Sequence, residues 1–137
     1  MRHLLLPLAA AGALVAAAPA TAATATFKGH TGQNRTISFK LKGSQVSGFT
    51  AGINMMCIQS GIEFNAVIPP KPLKVSGGAF SYRGRDVTDG TNIVIRGRVK
   101  GRSASGTLEM TDSRYDAYHQ TFDSCTSGTV KFTAKAK

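Results

Sequence analysis

The sequence is short of acidic residues, and it contains no tryptophan and only two cysteines. Its 137 residues include seven aspartates and glutamates against 17 lysines and arginines, which gives a formal net charge of +10. A chain this basic favours anionic partners such as nucleic acid, acidic wall polymers, anionic lipid or acidic proteins. The plainer interpretation is that the excess of positive charge serves solubility alone.

Recognised catalytic motifs are also missing. The chain has no G-x-S-x-G, no H-E-x-x-H and no phosphate-binding loop, and Glu63 and Glu109 are its only glutamates. We therefore expect no enzyme activity, no catalytic residue and no cofactor. The alternative is a small nuclease-like hydrolase in which His30 and His119 act as an acid–base pair, although nothing in the sequence places these two together.

Long apolar runs are absent except at the N-terminus. Residues 4–18 are almost entirely apolar, follow a short positive leader and precede a run of small residues that ends at Ala22 and Ala23. This order is typical of a secretory signal peptide, and we favour cleavage after Ala22. A membrane anchor is the alternative, but the run is shorter than the roughly 20 residues needed to span a bilayer. We expect residues 1–22 to be removed and residues 23–137 to form one domain without a membrane span, extracellular or periplasmic.

The two cysteines, Cys57 and Cys125, both lie in the expected domain. An even cysteine count in an oxidising compartment predicts a disulfide. A disulfide between them closes a loop of about 70 residues, which stabilises the folded state by about 4 kcal/mol in the chain-entropy model. A metal pair or a catalytic thiol is the alternative, but neither a C-x-x-C motif nor a neighbouring histidine supports it.

The expected domain lacks any long helical period. It has many short alternating runs punctuated by glycine, such as Ile37, Phe39 and Leu41 near its start and Val130, Phe132 and Ala134 at its end. This pattern is typical of antiparallel sheet. We expect seven or eight strands in a small all-β antiparallel meander that is up-and-down and β-barrel-like. A two-sheet β-sandwich is the alternative.

Three two-residue turn signals predict the strand register. Gly43-Ser44 places Leu41 opposite Val46, with a bulge at Gly48 where the apolar parity switches. Asp89-Gly90 suits a type I′ hairpin and Gly101-Arg102 a type II′ hairpin. The pairs predicted for these two hairpins are Phe80–Val99, Tyr82–Gly97 and Gly84–Ile95 in the first, and Val99–Ala104, Gly97–Gly106, Ile95–Leu108 and Ile93–Met110 in the second.

The register of the Asp89-Gly90 hairpin gathers basic side chains on its outer face. It places Arg83 directly opposite Arg96, and like charges so placed are destabilising unless something relieves them. Guanidinium groups along a strand suit multidentate binding of phosphate or carboxylate. We predict a ligand-binding face formed by Arg83, Arg96, Arg98, Lys100 and Arg102. The alternative is an ordinary solvated face, partly relieved by Glu109 lying diagonal to Arg96.

Residues 111–124 form a second unusual segment, because they are rich in acids and aromatics. Tyr115, Tyr118 and Phe122 sit at helical spacing, with Asp112 in the position of an N-cap. We expect a loop or short helix that plugs one end of the barrel. The alternatives are a lid over a ligand cavity, or a metal site without recognised ligand spacing, formed by Asp112, Asp116 and His119.

Several short motifs run through nearly all of the expected domain. They are Phe27-Lys28-Gly29, Ile37-Ser38-Phe39-Lys40, Cys57, Gly78-Ala79-Phe80, Ile95-Arg96-Gly97-Arg98, Ala104-Ser105-Gly106-Thr107 and the closing stretch 125–134. In these motifs the chain resembles a group of small exported proteins of actinobacterial type. Phe132 stands where that group has tryptophan. No activity is assigned to the group, so the resemblance implies a shared fold and no catalytic or binding residue.

The function class that fits these features is a secreted, non-enzymatic binding domain. We expect its partner to be an anionic polymer or a component of the cell envelope, bound by a monomer through the basic face. Besides the hydrolase alternative, a structural or inhibitory extracellular protein is the remaining class.

Overall fold

The computed structural model describes residues 22–85 and 90–137, which form ten β-strands. The strands are β1 (Thr24–Thr31), β2 (Thr36–Lys42), β3 (Gln45–Cys57), β4 (Gly61–Val67), β5 (Leu73–Lys74), β6 (Ala79–Arg85), β7 (Asn92–Lys100), β8 (Ser103–Asp116), β9 (Thr121–Thr126) and β10 (Val130–Ala136). The expected signal peptide lies outside the described residues except for Ala22. Among the residues described, no helix is long and apolar enough to cross a membrane.

All ten strands belong to one antiparallel sheet. Its order is β10-β1-β2-β3-β9-β8-β7-β6, β8 pairs with β10 as well, and β4 and β5 pair with β3. Strands that follow each other along the chain are mostly neighbours, and the sheet curls into a ring-like shape. The predicted all-β antiparallel meander is therefore confirmed, with ten strands rather than seven or eight and with one sheet rather than the two of a sandwich.

Phenylalanines fill the inside of the curled sheet. Phe27 stacks on Phe39 with ring centroids 5.0 Å apart, and Phe39 stacks on Phe49 at 5.7 Å. Phe80 and Phe132 meet the Phe49 ring edge-on at 6.3 and 6.2 Å. All five are buried, as the alternation of apolar and polar residues in their strands requires. Each such ring pair contributes about 0.5–1.5 kcal/mol beyond the burial of its area.

The first and third predicted turns have the predicted registers. Leu41 lies opposite Val46, and the pairing of β2 with β3 shifts between Ser38 and Lys40, where Gly48 takes a φ of 58°. A residue with a side chain is strained at that φ, so glycine permits the bulge. In the third turn Gly101 has a φ of 59°. The pairs Val99–Ala104, Gly97–Gly106, Ile95–Leu108 and Ile93–Met110 are all present.

The register predicted for the β6–β7 hairpin is wrong by two residues. Phe80 lies opposite Gly97 instead of Val99, and Tyr82 lies opposite Ile95 instead of Gly97. The Phe80 ring packs directly on Gly97, where a Cβ would overlap it. This packing, rather than the turn preference of Asp89-Gly90, sets the pairing. Asp89 itself lies outside the described residues.

Residues 111–124 form neither a helix nor a plug. They belong to the long end of β8 and to β9, with Tyr115 opposite Phe122. The two rings meet edge-on at 5.6 Å, and both remain more than half exposed. The helical spacing of the aromatics is therefore coincidental, because the strand alternation governs which way these side chains point.

The predicted disulfide is present. Cys57 and Cys125 are bonded to each other across a sequence separation of 68 residues. They lie directly opposite in the β3–β9 pairing, which otherwise contains only Met56 and Thr126. The covalent bond therefore reinforces one of the two shortest ladders of the sheet.

Candidate functional site

Basic and hydroxyl side chains form rows across the outer face of five neighbouring strands. The register of β2, β1, β10, β8 and β7 aligns one residue of each strand in a lateral row. One row contains Ser38, Lys28, Lys135, Ser103 and Lys100, and the next contains Thr36, His30, Thr133, Ser105 and Arg98. We call these two rows the cationic face. Together they line an open depression of about 970 Å³.

The cationic face includes a pair of like charges set directly opposite each other. Lys28 of β1 faces Lys135 of β10 in the ladder. Such a pair is destabilising in the absence of a counter-charge. Adjacent strands are about 4.8 Å apart, so Lys100, two strands beyond Lys135, lies about 10 Å further along the same row. The sequence predicts an opposed pair of this kind for Arg83 and Arg96, whereas the structure has it at Lys28 and Lys135.

Arg83 and Arg96 are not opposed to each other, because the β6–β7 register is shifted. Arg83 lies opposite Val94, and Arg96 lies between Ser81 and Thr107. Both side chains are exposed, and Arg96 points to the same side as Arg98, in the next lateral row along β7. Arg83 belongs to neither row.

The other predicted site residues lie in or beside the cationic face. Arg98 and Lys100 line the depression, and Arg98 donates a hydrogen bond to the Gly77 carbonyl at 3.4 Å. Arg102 occupies the β7–β8 turn and donates to the Ala136 carbonyl at 3.2 Å, which ties the turn to the end of β10.

The sequence prediction missed the part of the cationic face contributed by β1 and β10. Lys28 and His30 alternate with buried residues on β1, and Thr133 and Lys135 do so on β10. That alternation is visible in the sequence. The pairing of the first strand with the last is a contact between the two ends of the domain, and no local turn signal indicates it.

Among the residues that the structure describes, side-chain carboxylates are almost absent from the cationic face. Glu109 lies near its edge, opposite Val94, and accepts a hydrogen bond from the Thr129 hydroxyl at 3.3 Å. The other described carboxylates, Glu63, Asp112, Asp116 and Asp123, lie in or near the far ends of β3, β4, β8 and β9. The two signs of charge are therefore separated along the sheet.

Asp123 is the most buried of these acids and has a structural task. Its carboxylate accepts hydrogen bonds from the backbone N–H groups of Gln59 and Ser60 at 2.9 and 3.0 Å, and from the Ser60 hydroxyl at 2.7 Å. The bond from the Gln59 N–H, more than any other contact, lowers the pKa of Asp123 below its usual range. The side chain thus stabilises the turn between β3 and β4 in its ionised form.

Arg114 links two strands that do not pair directly. It is ion-paired with Glu63 of β4, and its second nitrogen lies 3.7 Å from Asp112. The hydrogen bond with Glu63 raises the pKa of Arg114. Arg114 therefore offsets only part of the negative charge of Glu63, Asp112 and Asp123, and one oxygen of Asp112 is buried without a hydrogen-bond partner among the described residues.

The metal site considered for Asp112, Asp116 and His119 is not assembled. Asp116 and His119 form a local pair, with 2.7 Å between a carboxylate oxygen and the Nδ1 of the ring. Asp112 lies four residues earlier on the same strand, about 13 Å away at the rise of an extended chain. Among the described residues, Cys57, Glu63 and Cys125 also lie within ligand distance of one another. The two sulfurs of that group are already bonded to each other.

The two histidines of the hydrolase alternative, His30 and His119, lie beside opposite ends of β8. His30 shares its row with Ser105, near the start of β8, whereas His119 follows Asp116, the last residue of that strand. The path along the strand between Ser105 and Asp116 is about 36 Å. His30 and His119 therefore do not form an acid–base pair.

Comparison with known proteins adds no relative. No protein-family model, no curated protein and no solved structure matches the chain. The resemblance noted from short sequence motifs therefore stays a prediction.

Proposed function

We propose that this chain is an exported, non-enzymatic domain that binds an anionic polymer across the cationic face. The observation that carries the proposal is the alignment of Lys28, Lys135 and Lys100 in one row, with Arg98 in the next. Lysine and arginine side chains on a rigid sheet can engage several anionic groups at once without reorganising the backbone.

The hydroxyl groups of the cationic face support a polymeric ligand of a particular kind. Serines and threonines stand between the cations in both rows, and they can exchange hydrogen bonds with the hydroxyl or ester oxygens of a sugar or polyol chain. Neither row contains a phenylalanine, tyrosine or tryptophan, and His30 is the only aromatic ring in them. Binding of single-stranded nucleic acid relies on aromatic stacking of bases, so the face favours polymers without bases, such as phosphate- or sulfate-bearing polyols and polysaccharides.

The test is a salt titration on an immobilised sulfated polysaccharide, with two variants of equal net charge. Lys28→Ala with Lys135→Ala removes the opposed pair, whereas Lys71→Ala with Lys74→Ala removes two lysines outside the face. We expect the first variant to elute at clearly lower salt than the wild type, because each lost ion contact reduces counterion release. The second variant should elute close to the wild type.

Identical elution of the two variants would mean that retention reflects net charge alone, and the cationic face would then have no special role. The Lys28/Lys135 variant should also unfold at a temperature no lower than the wild type, because removing opposed like charges relieves repulsion. That measurement separates loss of binding from loss of folding.

A further inference from the structure

The far end of the sheet has an outer face that is apolar rather than charged. Met56 and Ile58 at the end of β3, Ile62 and Phe64 on β4, Phe122 on β9 and Tyr115 on β8 are between 57% and 76% exposed. Met56 lies directly opposite Ile62 in the ladder, and the Ile58 N–H bonds to the Ser124 carbonyl of β9. We call these six side chains the apolar face.

The inner side of β4 and β9 carries charged residues at this end. Glu63 alternates with Ile62 and Phe64 along β4, and Asp123 follows Phe122 on β9. Asp123 is 1% exposed and Glu63 is ion-paired with Arg114. The usual arrangement of a sheet, with apolar residues inside and polar residues outside, is thus reversed along β4 and at Phe122 and Asp123 of β9, while Met55 and Cys57 of β3 stay buried on the inner side.

A reversal of this kind needs a reason, because an exposed apolar surface is costly in water. If each of the six side chains exposes about 120 Å², the apolar face presents about 700 Å², which exceeds a scattering of single exposed residues. It is close to the roughly 800 Å² per partner that a standard specific interface buries.

We propose that the apolar face is the contact surface of a symmetric homodimer, in which it packs against the same face of a second copy. None of its six side chains is charged, so a self-complementary contact leaves no buried charge unpaired. The cationic face lies mainly on other strands, namely β1, β2, β10, β7 and the first half of β8. Two copies joined at their apolar faces can therefore keep their cationic faces apart, despite the strong positive charge of each copy.

The charges around the apolar face argue against an anionic membrane as its occupant. Peripheral binding to such a membrane requires basic residues beside the apolar ones. Three arginines lie near the apolar face: Arg114 is ion-paired with Glu63, Arg35 lies beside Phe64, and Arg85 borders the same depression as Met56 and Ile58, which is fewer than the cluster of basic residues that such binding uses. The Arg35 guanidinium lies 4.8 Å above the Phe64 ring and bonds to the Asn54 side chain, so it is already engaged within the chain.

The test is sedimentation velocity of the oxidised protein over a concentration series reaching about 1 mM, at low and high salt. We expect a reversible dimer that persists or strengthens at high salt, because salt screens the repulsion between basic copies and favours apolar burial. Association through residual polyanion on the cationic face would instead disappear at high salt.

Two variants address the apolar face, and one serves as control. Ile62→Glu and Ile58→Glu each place two like charges in the symmetric contact and should weaken association at least about tenfold. Tyr118→Glu makes the same change in charge at a hairpin tip, where the side chain is 90% exposed, and should leave association unchanged. Circular dichroism and a thiol assay establish that each variant is folded and disulfide-bonded.

A wild-type protein that stays monomeric throughout the concentration series would overturn the proposal, as would a dimer that survives both glutamate variants. Binding to phosphatidylglycerol vesicles that is lost in Ile62→Glu, by a protein that is monomeric in solution, would assign the face to a lipid surface instead. None of these outcomes depends on the function proposed for the cationic face.

Discussion

At the scale of single residues, Gly97 shows how one missing side chain sets a register. Its Cα supports the Phe80 ring from across the hairpin, and its neighbour Gly106 lies in the same way under Phe132. Glycines at these positions leave the space that two core phenylalanines occupy. The sequence indicates that such glycines lie in a curved wall, but it does not indicate which aromatic covers which glycine.

Substitution at Gly97 measures that contact. In Gly97→Val the new side chain overlaps the Phe80 ring, and overpacking of this kind destabilises a core by about 1–3 kcal/mol. Val94→Ala, on the outer face of the same strand, should cost well under half as much. Urea unfolding of both variants gives the comparison, and equal costs would contradict the packing described.

Asp123 provides a residue-scale prediction about pH. Its pKa is lowered in the folded state, so its contribution to the free energy of unfolding is present above the unfolded value of about 3.9 and is lost as the pH falls through the folded pKa. Asp123→Asn removes that contribution. The variant should be less stable than the wild type at pH 7, and the difference should shrink on acidification.

Urea unfolding of the wild type and Asp123→Asn from pH 7 down to about pH 2 tests this expectation. Asp116→Asn is the comparison: the pKa of Asp116 is also lowered, mainly by its hydrogen bond with His119, but this pair lies at an exposed hairpin end, so the same kind of pH-dependent difference should be smaller there. A stability difference for Asp123→Asn that stays constant with pH would show that the loss arises from packing rather than from ionisation.

At the scale of strands, the sequence prediction succeeded where the turn alone determines the pairing. The Gly43-Ser44 and Gly101-Arg102 turns each join two paired strands directly, and both have the predicted registers. The β6–β7 register was wrong by two residues, and a shift of two leaves every side chain on its original face. The apolar pattern therefore agrees equally well with both registers, and only the packing of Phe80 distinguishes them.

Residues 111–124 form strands, although their sequence predicts a loop or short helix. Tyr115, Tyr118 and Phe122 satisfy a helical period by chance, while Asp112, Arg114 and Asp116 alternate with Ser113 and Tyr115 as a strand requires. Because the inner side of this ribbon carries Asp112, Arg114 and Asp123 while its outer side mixes Tyr115 and Phe122 with serine and threonine, the alternation is not the usual one of apolar inside and polar outside. The fold class was predictable from the sequence, whereas this reversed ribbon was not.

The disulfide makes a prediction at the scale of strands. It joins β3 to β9, which share only two residue pairs. Cys57→Ala with Cys125→Ala should therefore lower the free energy of unfolding by about 2–5 kcal/mol, as loss of a native bridge does in small secreted domains. Urea unfolding of this variant beside the oxidised wild type measures the loss, and an unchanged midpoint would contradict the assigned role.

At the scale of the whole molecule, the candidate site depends on contacts between distant parts of the chain. Arg98 and Lys100 are predictable from the sequence because a local hairpin carries them. Lys28 and Lys135 were missed because the first and last strands meet only when the sheet curls. The separation of cationic and apolar faces likewise follows from the curl, which gives the two ends of β3 and β8 different neighbours.

The whole-molecule prediction concerns export. Ala22 and Ala23 stand just before β1, which begins at Thr24. Cleavage after Ala22 therefore leaves β1 intact, together with its pairing with β2 and β10. We expect the full chain, expressed in a bacterium with a general secretory route, to appear outside the cytoplasm with Ala23 as its first residue. Its mass should be two hydrogens below that of the reduced form, because Cys57 and Cys125 pair in an oxidising compartment.

Intact-mass spectrometry with and without reductant measures both the N-terminal residue and the disulfide in one sample. Replacing Ala20 and Ala22 with bulky residues should block cleavage, since the peptidase needs small side chains at these positions. A protein retained in the cytoplasm with its N-terminal residues in place, or exported with two free thiols, would show that the expected compartment is wrong.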